Sequence, residues 1–156
     1  MALQRELWPY TSHAMRVYVV PQLSDNYAYL IVDDANEAVV IDGEPANRAG
    51  RAPASPRSQG DSLPPLPPLS HTNKHTVAEG DRVLWRVHQA KARLQTVLST
   101  HRHADHAGGN LKLAEHLPEL AIVGGAGEDV PAATLTVKDG DELAVGRLRI
   151  KCIATP

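Results

Sequence analysis

The stretch "LSTHRHADHAGGN", Leu98 to Asn110, places three histidines and an aspartate within positions 101 to 106. It directly follows a short β-branched run, and the pattern His101-x-His103-x-Asp105-His106 decides how the rest of the chain is read. A polar loop can gather histidines by accident. This one, however, sits where a buried strand gives way to a loop, and rigid scaffolds present functional side chains at such junctions. His101 and His103 are two residues apart, so in extended backbone their imidazoles point the same way and can share one metal ion. Asp105 and His106 follow after the small Ala104 and can turn toward a second ion close by. Gly108 and Gly109 are expected to supply backbone freedom at the turn, and Asn110 to cap the next helix.

Imidazole nitrogen with carboxylate oxygen suits zinc, with iron or manganese as alternatives. No thiolate lies nearby, so a closed structural zinc finger is excluded. A nitrogen and oxygen site with open positions is what hydrolytic metal chemistry needs, because such centres activate water at neutral pH.

Upstream, "MRVYVV" (Met15 to Val20) reads as a β-branched strand ended by Pro21. "SDNY" is turn chemistry, and "YAYLIVDD" and "EAVVID" are two further apolar runs joined by a hairpin-like "DAN". The pattern then breaks. Residues 44–77 read as a disordered proline-rich insertion, with seven of the chain's 12 prolines between Glu44 and Ser70. Its PxxP elements could engage an SH3-type module, although proline-rich spacers are commoner than ligands. Order returns in "RVLWRVHQAKARL", where Val83, Val87, Ala90 and Leu94 fall at helical spacing and Leu84 widens the stripe. "QTVLS" is a short strand and "NLKLAEHL" a short helix stopped by Pro118. "LAIVGG" is a strand, and "ATLTVKDGDELAVGRLRIKCIAT" reads strand, turn, strand, turn, strand. The order implies an α/β layered fold that lacks the regular alternation of a doubly wound sheet.

Composition bounds the function. The 156 residues suffice for one domain, and with 4% aromatics and no Phe the core must be aliphatic. A formal net charge of −2 gives no support to nucleic acid or an anionic membrane as partner. Cys152 is the sole cysteine, which excludes an intrachain disulfide. Residues 1–14 form an N-terminal extension without the apolar core of a signal peptide or the Arg and Ser richness of a transit peptide. No run reaches the ~20 apolar residues of a membrane span. A cytoplasmic rather than mitochondrial protein is expected.

"THRHADH" resembles the T-H-x-H-x-D-H element of the metallo-β-lactamase fold superfamily, and "AGGN" resembles its glyoxalase II members, the hydroxyacylglutathione hydrolases. "LSDNYAYLIVDD", "AVVID" and "VGRLRIKCIATP" extend the likeness over residues 15–156 apart from the insertion. The resemblance implies the N-terminal half of an αββα sandwich and hydrolysis of an acyl-glutathione thioester such as S-lactoylglutathione. It implies two zinc ions in the complete family member. His101 and His103 would hold the first metal, Asp105 and His106 the second, with Asp105 counted as catalytic. Asp42 would order the site from behind, although a strand-end Asp can also simply cap a turn. His71, His75, His88 and His116 do not match family positions. Ala104 replaces a common aromatic residue and Gly43 a common Pro.

Two other readings stand beside this one. A persulfide dioxygenase-like relative would hold one iron through the H-x-H element and a later Asp. A truncated, non-catalytic metal-binding protein would use the insertion for contacts. In relatives the residues after "ATP" begin a further histidine motif, and two metals usually draw about six protein groups, whereas this motif supplies four. The chain alone is therefore expected to bind metal weakly and not to turn over. Limited proteolysis is expected to cut first within residues 44–77. Strong protection across that segment would contradict its reading as a disordered insertion.

Overall fold

The computed structural model describes residues 14–23, 25–43 and 82–155. The proline-rich insertion, its SH3-type motif and the N-terminal extension up to His13 lie outside the described residues. The first three strands are β1 (Arg16–Gln22), β2 (Asn26–Val32) and β3 (Glu37–Ile41), an antiparallel meander. After α1 (Arg82–Gln89) come β4 (Arg93–Leu98), the one-turn α2 (Ala104–Ala107), α3 (Asn110–His116), β5 (Ala121–Gly125) and β6 (Leu135–Val137). β7 (Glu142–Val145) and β8 (Leu148–Lys151) form a separate antiparallel hairpin. The six strands β1 to β6 lie side by side in chain order, and from β3 onward they run parallel.

Both longer helices pack on one face of this sheet. Register places Leu30 beside Val40, Val40 beside Val97 and Val97 beside Ile122, so these side chains line a single face. Val83, Val87 and Ala90 cover its β1–β3 portion, while Leu113 and Ala107 cover Val97 and Ile122. The core is aliphatic, as the lack of Phe requires. On the other face Val39 and Val123 are buried, and the β7–β8 hairpin lies against β3. Val17, Val19, Tyr27 and Tyr29 leave an exposed apolar stripe over β1 and β2 on that same face. Helices, sheet and hairpin thus give an α/β layered arrangement.

Several local expectations need correction. β1 runs through Pro21, which an edge strand tolerates because the missing N–H need not face a partner. α1 stops at Gln89, and Leu94 belongs to β4. Lys91 takes a left-handed φ of 51°, which breaks the helical stripe between Ala90 and Leu94. Gly109, not Asn110, occupies the N-cap of α3. Asn110 is instead buried, and its amide donates to Ser99 Oγ at 2.9 Å and to the Pro131 carbonyl at 3.2 Å. Gly108 and Gly109 have ordinary right-handed backbone, so conformational freedom is not what they supply. At Gly108 the reason is space, since a Cβ there would lie 2.3 Å from the Ala104 carbonyl oxygen. Cys152 follows β8 rather than lying within it, and is half-buried.

The hairpin is fastened by one buried carboxylate. Asp33 Oδ1 accepts the N–H groups of Ala35 (2.9 Å) and Glu37 (2.8 Å), while Oδ2 accepts that of Arg147 (2.8 Å). Gly146, with φ of 55°, allows this approach, because a Cβ there would come within 2.4 Å of Asp33 Oδ2. Burial alone pushes the Asp33 carboxyl up. The N–H groups of Arg147, Glu37 and Ala35, with the Arg147 charge, outweigh it and hold the group below its ordinary value of 3.8. A depressed folded value stabilises the protein above 3.8 and is lost as pH falls through the lowered value. In Asp33→Asn one N–H of the new amide faces the Arg147 N–H, and about 1–3 kcal/mol of hairpin attachment is lost. Hydrogen exchange should show β7–β8 deprotected while β2–β5 stays protected, in this variant at neutral pH and in the unaltered protein once pH falls below the lowered carboxyl value. Equal protection of the hairpin in both would contradict the role given to Asp33.

Candidate metal centre

The site lies at the C-terminal ends of the parallel strands β3, β4 and β5, the edge at which open α/β sheets bind ligands. β3 ends at Ile41, and Asp42 then adopts a left-handed φ of 56°, a region Asp enters more readily than most side chains. Its backbone N–H still bonds the Leu98 carbonyl of β4 at 2.9 Å. Its carboxylate thereby reaches the loop that follows β4. There Oδ1 accepts the Thr100 backbone N–H at 2.8 Å, and the Thr100 hydroxyl lies 3.1 and 3.0 Å from Oδ1 and Oδ2. His106 Nδ1 lies 3.0 Å from Oδ2.

These contacts assign protons. A carboxylate only accepts, so His106 carries a hydrogen on Nδ1, and in the neutral imidazole that a metal requires Nε2 is then bare. The Thr100 hydroxyl has one hydrogen and spends it on Asp42. It must then accept from His101 Nδ1, 3.0 Å away, which leaves His101 Nε2 bare as well. A single buried aspartate, directly and through Thr100, sets the tautomers of two histidines.

The four motif residues fall into two pairs. His101 Nε2 and His103 Nδ1 are 3.0 Å apart, and Asp105 Oδ2 and His106 Nε2 are 3.2 Å apart. Two donors on adjacent corners of a tetrahedral zinc shell, with bonds near 2.0–2.2 Å, are separated by about 3.3–3.6 Å, a few tenths of an ångström more than these pairs show. Each pair is therefore close to the spacing of neighbouring ligands on one ion, and the donor set is chemically apt for zinc. Among the described residues no three His, Cys, Asp or Glu side chains form a group that could hold an ion. With His101 Nε2 bare, His103 Nδ1–H is the donor between the two rings, and His103 must move that proton to Nε2 to become a ligand. The two pairs are adjacent, since the ring centroids of His101 and His106 are 4.3 Å apart.

Exposure grades across the site. The Asp42 side chain is 10% exposed, that of His106 22% and that of Asp105 50%, so the ordering group is inside and the ligand candidates face outward. Glu128, in the loop after β5, accepts the Arg102 N–H at 3.2 Å and ties the histidine loop to its neighbour. His88 is exposed, and His116 donates from Nδ1 to the Lys112 carbonyl at 2.7 Å, a structural role at the end of α3. Burial and the nearby Asp141 charge push the Cys152 thiol up, away from nucleophile or ligand behaviour. Sequence reasoning left out Thr100 and Asn26. The Asn26 amide donates to the Asp105 carbonyl at 2.7 Å, yet "SDNY" signals only a turn.

Residues 22–138 match the model of the metallo-beta-lactamase superfamily, and the chain belongs to that superfamily. Membership implies divalent-metal binding, typically of zinc, in a family made up mostly of hydrolases. The chain is 34% identical over 143 residues to the hydroxyacylglutathione hydrolase-like protein of Bos taurus, covering 91% of itself and 56% of that relative. It is 32% identical over 144 residues to the cytoplasmic hydroxyacylglutathione hydrolase of Arabidopsis thaliana, covering 91% of itself and 43% of the relative. The hydroxyacylglutathione hydrolase-like protein of Homo sapiens is 32% identical over 143 residues, with 91% and 37% covered. The chain thus spans about half or less of the length of these relatives. Among the described residues, no helix is long and apolar enough to cross a membrane.

Thr100→Val removes the hydroxyl without changing shape. It should cost about 1–3 kcal/mol in urea unfolding, and nitrogen-15 spectra should show His101 as a mixture of tautomers. Unchanged stability with a single His101 tautomer would contradict the relay through Thr100.

Proposed function

We propose that the protein is a metal-dependent thioester hydrolase of the hydroxyacylglutathione hydrolase type, acting on S-lactoylglutathione or a related acyl-glutathione. The observation that carries this reading is the pairing of His101 with His103 and of Asp105 with His106 at ligand spacing. His101 and His103 would hold one zinc-class ion and Asp105 and His106 a second, with iron or manganese suited to the same donors. Bound ions supply Lewis acidity at the thioester carbonyl and activated water at neutral pH. The chain's own residues prepare that chemistry. Asp42 and Thr100 keep the Nε2 lone pairs of His106 and His101 facing outward. Asp105, half exposed, stands on the side open to substrate. The leaving thiol, of pKa about 8.5, departs with little help from a proton donor.

A mononuclear iron centre of the persulfide dioxygenase kind would leave the Asp105–His106 pair idle, so the second pair supports the two-metal reading. The glutathione thioester follows the names of the relatives, and a cytoplasmic setting follows that of the plant relative. His103→Ala tests the proposal in the chain fused to the part of the bovine relative that lies outside the match. Zinc content and S-lactoylglutathione cleavage should fall together, cleavage by at least about 100-fold if the first ion is lost. Unchanged metal and rate would remove His103 from the site, and one bound iron in place of two zinc-class ions would favour the dioxygenase.

A further inference from the structure

Asp105 stands on a helix of only four residues, with no side-chain cap, and an isolated turn of that length does not hold itself in place. His106 is tied from behind by Asp42. The Asp105 carboxylate, among the described residues, has only His106 and Asn26 as partners.

Asn26 reaches it from 79 residues away in sequence, at the start of β2. Its Oδ1 accepts the Tyr27 backbone N–H at 2.9 Å. A backbone N–H can only donate and a backbone carbonyl can only accept, so the orientation of this amide is fixed by its neighbours. The Nδ2 end then donates one hydrogen to the Asp105 carbonyl at 2.7 Å. The other faces Asp105 Oδ2 and His106 Nε2, each 3.4 Å away. One amide group thus touches the main chain and carboxylate of Asp105 and the bare nitrogen of His106. Among the described residues, no hydrogen bond links it to His101 or His103. The hairpin that carries Asn26 is held by register, with Asn26 opposite Gln22 and the buried Val20 and Ala28 paired two residues further in.

We propose that Asn26 is a positioning residue for the second donor pair. It pins the Asp105 main chain with one N–H and orients the Asp105 carboxylate with the other, which leaves His106 Nε2 when an ion takes that lone pair. This inference rests on the reading that Asp105 and His106 hold a metal. Outer groups that orient ligands typically change metal affinity by about 10–100-fold when removed. The selectivity of the contacts means that the loss should fall on one pair alone.

The test uses the full chain with nitrogen-15-labelled histidines, whose ring signals are followed as zinc is added. In Asn26→Leu, which keeps the branched shape without the hydrogen bonds, and in Asn26→Ala, His106 should need at least about 10-fold more zinc to respond than in the unaltered protein. His101 and His103 should respond at the same zinc concentration as before, which also reports an intact fold. A His106 response at the original concentration in both variants would overturn the proposal. So would equal weakening at all three histidines, since Asn26 would then serve the fold as a whole. Asp105→Ala, measured alongside, separates the two levels. If it leaves the His106 response unchanged, the ligand assignment fails. If it abolishes that response while the Asn26 variants do not, only the positioning role fails.

Discussion

The Asp42 carboxylate is the contact on which the site depends. It joins the end of β3 to the loop after β4 and the one-turn α2, 58 and 64 residues away in sequence. Its geometry comes from the left-handed turn of its own backbone, held by the bond from its N–H to Leu98. Through Thr100 and His106 it settles where protons sit on two imidazoles, so the lone pairs face outward before any ligand arrives. Preorganisation of this kind spares His101 and His106 the cost of choosing a tautomer when an ion binds, whereas His103 must still shift its proton.

A second aspartate does comparable work at the opposite edge of the sheet. Asp33 follows β2 and fastens the β7–β8 hairpin, whereas Asp42 follows β3 and gathers the histidine loop. Because β2 and β3 are antiparallel, the two carboxylates fall at opposite ends of the strands. One edge therefore carries a structural clamp and the other the candidate chemistry. Between them the aliphatic face of Leu30, Val40, Val97 and Ile122 sets the distance, with α1 and α3 laid across it.

Much of this was legible in the sequence because it is local. Alternation in "YAYLIV" and the parallel-strand runs "AVVI" and "TVL" identify their strands, and the spacing His101-x-His103 places two imidazoles on one side of extended backbone. His101 lies beside His103 and Asp105 beside His106, as that spacing allows. What escaped is long-range or steric. Nothing in "SDNY" signals that Asn26 crosses to Asp105, because that contact needs the hairpin and the sheet to exist first. Asn110 has the chemistry of a cap, yet burial beside Ser99 and Pro131 gives its amide better partners. The glycines of "AGGN" suggest positive φ, but Gly108 is demanded by the Ala104 carbonyl at its side. The helical stripe ran on to Leu94 because periodicity cannot register the left-handed Lys91.

The two pairs stand or fall as ligand pairs. Anomalous diffraction at the zinc edge from zinc-soaked crystals of the chain tests this assignment most directly. One peak is expected within about 2.0–2.2 Å of a ring nitrogen of both His101 and His103, and a second at similar distances from Asp105 and His106. Zinc bound elsewhere, with His101 still hydrogen-bonded to His103 and His106 still paired with Asp105, would contradict it.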